Sequence, residues 1–219
     1  MYPSLDPGAE EEVLSDISFT AKPGETVAFI GSTGSGKSTL VNLIPRFFDV
    51  TKGQILVDGV DVRRMDLKDL RKRIGYVPQK AVLFSGTIDS NLRYGCQDAS
   101  REQVKKAARI AQAEEFILQK PEEYDSPIAQ GGSNVSGGQK QRLSIARALV
   151  RHADIYIYDD SFSALDFRTD AKLRKELKKE MTDEIVLIVA QRVSTIMDAD
   201  QIIVLDEGKV VGKGHIKSC

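Results

Sequence analysis

Residues 31–39 read Gly31-Ser32-Thr33-Gly34-Ser35-Gly36-Lys37-Ser38-Thr39, and the strand–loop–helix unit they imply decides the fold. Their spacing fits G-x-x-x-x-G-K-[ST], a loop that cradles phosphate. Gly31, Gly34 and Gly36 let the chain turn tightly and bring bare N–H groups of the loop, Ser32, Thr33 and Ser35 among them, against phosphate oxygens. Lys37 adds a point charge at the β- and γ-phosphates, and the hydroxyl of Ser38, just before Thr39, can ligate Mg2+. Residues 26–30 form an apolar run that reads as a buried strand, and residues 39–44 read as the start of a helix. That context places the anion at a helix N-terminus, where it is favoured.

A phosphate loop alone means only a nucleotide. Working outward, a second motif narrows the choice. Asn134-Val135-Ser136-Gly137-Gly138-Gln139 leads into an amphipathic stretch over residues 140–151. A Ser-Gly-Gly turn before a helix offers free N–H groups, a hydroxyl and a positive helix end, hence a second anion site. It also reads, more simply, as an N-capped helix. Two phosphate-binding ends on one chain suggest two chains facing head to tail, each closing the other's phosphate loop with its serine turn.

Composition limits the possibilities further. The 219 residues suffice for one sizeable domain or two small subdomains on one core. A content of 41% hydrophobic and 29% charged residues fits a globular protein. The net charge of −1 gives no broad electrostatic reason to bind nucleic acid or anionic lipid. Cys96 and Cys219 imply no disulfide framework and fit a reducing compartment. No apolar run approaches the roughly 18–20 residues of a membrane-spanning helix, and no signal peptide is visible.

The rest of the chain alternates strand and helix signals. Short β-branched segments near 13–20, 54–57 and 61–62 predict strands beside that at 26–30, with a hairpin turn at Asp58-Gly59. Residues 66–73 predict a short basic helix, and residues 88–120 a small helical insertion. Continuous apolar runs at 154–158 and 185–190 are of the kind buried on both faces of a parallel sheet, with a charged helix at 166–181 between them. Residues 202–205 and 209–211 predict a closing hairpin turning at Glu207-Gly208. The expected fold class is therefore α/β: a phosphate-loop core with a mostly parallel sheet, an antiparallel β-subdomain, and a helical subdomain over about 80–150 that carries the serine turn.

With these motifs in this order, together with Tyr76-Val77-Pro78-Gln79, residues 155–160 and Ser163-Ala164-Leu165-Asp166, the chain resembles the nucleotide-binding domain of ATP-binding cassette (ABC) transporters, most closely of the exporter branch. The resemblance covers nearly all of residues 1–219, and both ends look trimmed from a longer polypeptide. It implies ATP and Mg2+ as cofactors, with Ser136, Gly137, Gly138 and Gln139 as the signature turn. Gln79 would contact Mg2+ and the attacking water, and Asp159 would hold Mg2+ from its strand end. Tyr2 would stack on adenine, and Ser163, Ala164 and Asp166 would run along a dimer interface. The implied partners are an exporter's transmembrane domain and a second nucleotide-binding domain, at the cytoplasmic face of the cell membrane; no nucleic acid is implied.

Departures from the family pattern carry as much information. Asp160 stands where the family has the glutamate that acts as general base; its carboxylate is retracted by roughly 1–1.5 Å, and about 1 Å of misplacement can cost on the order of 100-fold in rate. Gln191 replaces the histidine that reaches the γ-phosphate, and an amide can donate a hydrogen bond but not carry charge. Val135 replaces a signature leucine, and Gln130 stands where exporters often have Glu. This pattern resembles the degenerate-site half of a heterodimeric exporter, with Asp160, Gln191 and Gln79 as the residues of a slow own site and a second domain on a different chain. A catalytically dead regulatory module and an active homodimer are the competing readings. A soluble ABC ATPase of DNA repair or translation fits less well, lacking coiled-coil insertions and basic surfaces. A phosphate-loop kinase or GTPase would have no use for the serine turn.

Overall fold

The computed structural model describes residues 13–215. Strand β1 (Thr26–Gly31) leads into helix α1 (Lys37–Leu43), the short ladder β2 (Leu56–Val57) and β3 (Val60–Asp61), α2 (Leu67–Lys72) and β4 (Ile74–Val77). A second short pair, β5 (Gly86–Thr87) and β6 (Pro127–Ile128), brackets α3 (Ile88–Arg93), α4 (Arg101–Ile110) and α5 (Glu114–Leu118). Then follow α6 (Gly137–Leu149), β7 (Ile155–Asp159), α7 (Phe167–Glu180), β8 (Ile185–Val189), α8 (Val193–Ile196) and the hairpin β9 (Gln201–Asp206) and β10 (Lys209–Gly214).

Six strands form one sheet in the order β10-β9-β1-β8-β7-β4. All neighbours are parallel except β9 and β10, which pair antiparallel. The alternation of side chains along each strand divides the core between two faces. Ala28, Tyr156, Tyr158, Val186, Ile188 and Ile202 point to one side, where they join Leu143, Ile145 and the helices over 88–149. Val27, Phe29, Ile155, Ile157, Leu187, Val189 and Ile203 point to the other, against α1 and Val57, Val62 and Leu70. A sheet covered on both faces needs strands that are apolar throughout, which is why β1, β7 and β8 lack a polar alternation.

Two expectations change. Residues 13–20 are not a strand. They keep the alternation, with Ile17 and Phe19 turned inward and Phe19 set edge-on to Phe29 at 5.2 Å. They are tied down otherwise: Ser15 N donates to Gly208 O at 2.9 Å, Gln201 Nε2 donates to Thr20 O at 3.1 Å, and the Lys213 ammonium to Ser18 O. Alternation reports a buried face, not a ladder partner. The second change is at residue 62. The Asp61 carboxylate accepts from Arg63 N at 2.9 Å, so β3 ends at Asp61 and residues 62–64 wind into a 3-10 turn.

Ile157 lies fully buried in a central strand. Ile157→Ala is expected to cost about 2–5 kcal/mol in chemical denaturation. Tyr158→Phe, whose hydroxyl reaches the Met181 sulfur at 4.0 Å, is expected to cost less than about 1.5 kcal/mol.

Candidate active site

Parallel pairing brings the carboxyl ends of β1, β4, β7 and β8 to one edge of the sheet, where open α/β sheets bind ligands. The phosphate loop leaves β1 there. A Cβ on Gly31, at φ +151, would lie 2.0 Å from Leu205 O, and one on Gly36, at φ +94, would lie 2.5 Å from a Leu14 methyl. Only glycine lets the chain pass both points. Ser32, Thr33 and Gly34 form the exposed crest, whereas Ser35 is buried and Thr39 half-buried in α1. The loop is fastened to the β9–β10 turn by Gly208 N donating to Ser35 O at 3.2 Å and by Ser32 Oγ donating to Asp206 Oδ1 at 3.3 Å.

Lys37 is buried, and its ammonium donates to Gly31 O at 2.9 Å, Ser32 O at 2.7 Å and Ser35 Oγ at 3.2 Å. Burial lowers its pKa, and the nearby Asp160 and Asp159 carboxylates oppose that shift. One helical position on, Ser38 Oγ donates to Asp159 Oδ1 at 2.7 Å. Asp159 Oδ2 accepts from Tyr76 Oη at 3.1 Å, and Tyr76 Oη also lies 2.8 Å from Asn42 Oδ1. A hydroxyl beside a carboxylate is a hard-oxygen donor pair suited to Mg2+, which takes one or two carboxylates and completes its shell with water and phosphate.

The three residues singled out for chemistry meet at one atom. Gln79 Nε2 and Gln191 Nε2 each donate to Asp160 Oδ2 at 3.1 Å. Gln79 follows β4, and Gln191 follows β8. Asp160 turns out of β7 at φ +48, a left-handed conformation that Asp enters more readily than most residues. Its N–H still pairs with Val189 O at 3.0 Å, and the buried Ser161 hydroxyl donates to Val77 O at 2.9 Å, tying the ends of β7, β8 and β4 together. Burial raises the Asp160 pKa; the Gln79 hydrogen bond offsets part of that rise, and the Asp159 charge adds to it.

The serine turn is built separately. Ser136 caps α6: its Oγ accepts from Gln139 N at 3.2 Å, and Gln139 Oε1 accepts from Ser136 N at 3.0 Å. Ser136 and Gly137 are exposed, and a Cβ on Gly138 would stand 3.5 Å from Ala164 O. Among the described residues no hydrogen bond links this turn to the phosphate loop of the same chain. Tyr2 lies outside the described residues.

Sequence reasoning missed several supporting residues. Gln141, buried on α6, donates to Pro78 O at 3.3 Å, next to Gln79. Arg147 donates to Val82 O at 2.9 Å, Asn91 O at 2.9 Å and Asn91 Oδ1 at 2.8 Å. Asn91 Nδ2 in turn donates to Phe84 O at 2.8 Å and Thr87 O at 2.9 Å. The signal was present: Arg147 falls four residues after Leu143, on the buried stripe of α6, where a charge must have partners. Tyr76, Asn42 and Arg192 gave no such signal.

The profile of the family described as ABC transporter matches residues 14–163. An uncharacterised ABC transporter ATP-binding protein of Mycobacterium tuberculosis is 51% identical over 211 residues, 95% of this chain and 36% of the relative. An ATP-dependent lipid A-core flippase of Syntrophus aciditrophicus is 47% identical over 202 residues, 92% of this chain and 34% of the relative. The chain thus spans little more than a third of the length of the curated relatives it matches. Among solved structures, a bacterial Atm1-family ABC exporter with ATP bound superposes with a TM-score of 0.92 at 38% identity, covering 97% of this chain and 37% of that one.

The cap at Ser136 makes a prediction that needs no ligand. Ser136→Ala is expected to lower the unfolding free energy of the isolated chain by about 1 kcal/mol. Urea denaturation without nucleotide measures it, and Ser136→Asp, which can also cap, should recover most of the loss.

Proposed function

This chain belongs to the ABC transporter family, and from that premise we propose that it binds ATP with Mg2+ at Gly31–Thr39 and hydrolyses it slowly at its own site. The observation that carries the reading is the Ser38–Asp159 contact at 2.7 Å beside the buried Lys37 ammonium. Lys37 meets the β- and γ-phosphates, while Ser38 and Asp159 hold the metal. Two buried carboxylates, Asp159 and Asp160, face one buried ammonium, and a divalent cation suits that balance. When bound, Mg2+ neutralises charge developing on the phosphate oxygens.

Asp160 accepts the proton of the attacking water, and Gln79 and Gln191 orient the reacting groups through their amides. The Asp160 side chain is short, and its Oδ2 already receives both amides. A carboxylate so engaged is a weaker acceptor for water, which supports a slow site. The same observation favours a second reading, a regulatory module that binds nucleotide without useful turnover.

The Ser136–Gln139 turn serves a second nucleotide-binding domain on a different chain, closing over that domain's phosphate loop. Closure and reopening of the pair power transport, with export as the direction supported by the Atm1-family likeness. The described residues are read as one nucleotide-binding domain, with a helical subdomain over about 80–150 within it. Val82, Phe84 and Tyr94 are exposed above the Arg147–Asn91 network, and this patch receives the transmembrane domain at the cytoplasmic face of the membrane. Among the described residues no helix is long and apolar enough to cross a membrane. The net charge of −1 supports no role for nucleic acid.

ATP affinity and single-turnover hydrolysis test this reading. The unmodified chain is expected to bind ATP–Mg2+ tightly and turn it over slowly, and Lys37→Ala to lose affinity. The double variant Asp160→Glu/Gln191→His should hydrolyse on the order of 100-fold faster. Brisk turnover by the unmodified chain would make Asp160 a sufficient base and an active homodimer the leading reading, and absence of ATP binding would remove the whole reading.

A further inference from the structure

Gln191 and Asp160 also belong to a closed ring of contacts that runs on through Ser163 and Arg192. Gln191 Nε2 donates to Asp160 Oδ2 at 3.1 Å. The Ser163 hydroxyl donates to Asp160 O at 2.8 Å. Arg192, bonded covalently to Gln191, donates through one terminal nitrogen to Ser163 O at 3.0 Å and through the other to Leu165 O at 3.2 Å. Its guanidinium also lies 5.0 Å from the centre of the Phe167 ring. That ring opens α7, whose start is fixed by Asp166 Oδ1 accepting from Thr169 N at 2.9 Å. Arg192 therefore grips a fixed point on three sides.

We propose that Arg192 is a positioning residue: by clasping the backbone of residues 163–165 it sets where Gln191 presents its amide to Asp160. Two carbonyls two residues apart require two N–H groups held in one plane, and the stacked ring requires a flat cation. Arginine supplies both, whereas a lysine ammonium would supply only a point charge. The clasped loop also passes close to the serine turn, since Ala164 O lies 3.5 Å from where a Cβ on Gly138 would stand. This inference rests on the proposed roles of Asp160 and Gln191, but the ring itself can be tested without nucleotide.

The test is side-chain amide NMR of the ligand-free chain, with the Gln191 and Gln79 resonances assigned by Gln191→Ala and Gln79→Ala. Asp160→Asn is expected to shift both amides. Arg192→Lys and Arg192→Ala are expected to shift the Gln191 amide by a comparable amount and the Gln79 amide little. A Gln191 resonance that stays in place in both Arg192 variants while moving in Asp160→Asn overturns the proposal. In hydrolysis, Arg192→Lys should lower single-turnover rate by about 10-fold while ATP affinity stays within about twofold, and should add no further loss in a Gln191→Ala background. Independent, multiplying losses would also overturn it. Failure of the unmodified chain to bind ATP would defeat the nucleotide reading instead, and the amide shifts would still decide the ring.

Discussion

The site depends on parallel strand pairing. In the register of β7 with β8, Asp159 stands opposite Val189, and β1 places Phe29 opposite the same Val189. The chain leaves each of these strands at the same level. Gly31, Asp160 and Gln191 therefore emerge side by side although they are scattered over the sequence. The β4–β7 pairing adds Gln79 by the same means. A slip of one residue in any of these ladders would turn every core side chain to the wrong face of a sheet buried on both sides. The same hydrophobic term that holds the fold thus fixes the chemistry to within one residue.

Burial then sets the electrostatics. Lys37, Asp159 and Asp160 are all buried, and each rests on polar groups of the protein. Lys37 rests on carbonyls of its own loop, Asp159 on the Ser38 and Tyr76 hydroxyls, and Asp160 on two amides. The first two arrangements leave groups that can turn to a phosphate or a metal. The third is a tighter grip, and it sets Asp160 apart from an open acceptor.

Much of this was legible in the sequence, for identifiable reasons. The phosphate loop is readable because its first constraint is local: Gly31 and Gly36 both take positive φ, which glycine tolerates best, and the close approaches of Leu205 O and the Leu14 methyl only add to that demand. The strands β1, β7 and β8 are readable because double burial demands unbroken apolar runs. The convergence of Gln79 and Gln191 on one oxygen was not readable, because it depends on side-chain direction at the ends of two strands far apart in sequence. Residues 13–20 were misread because alternation is shared by strands and by any extended segment lying on a core. Arg147 could have been found, since a charge on a buried helical stripe needs explaining. Tyr76 and Arg192 could not, since their partners are backbone atoms or groups in distant segments.

The capping box at Ser136 bears on association. The serine turn is already ordered by its own side chains, with Ser136 and Gln139 satisfying each other's backbone. Meeting an anion or another subunit there would require no segment to fold and little rotamer freedom to be surrendered. A preorganised contact of that kind loses less of its interaction energy to conformational entropy. Its strength then shows chiefly in how slowly the assembled state comes apart, not in how quickly it forms.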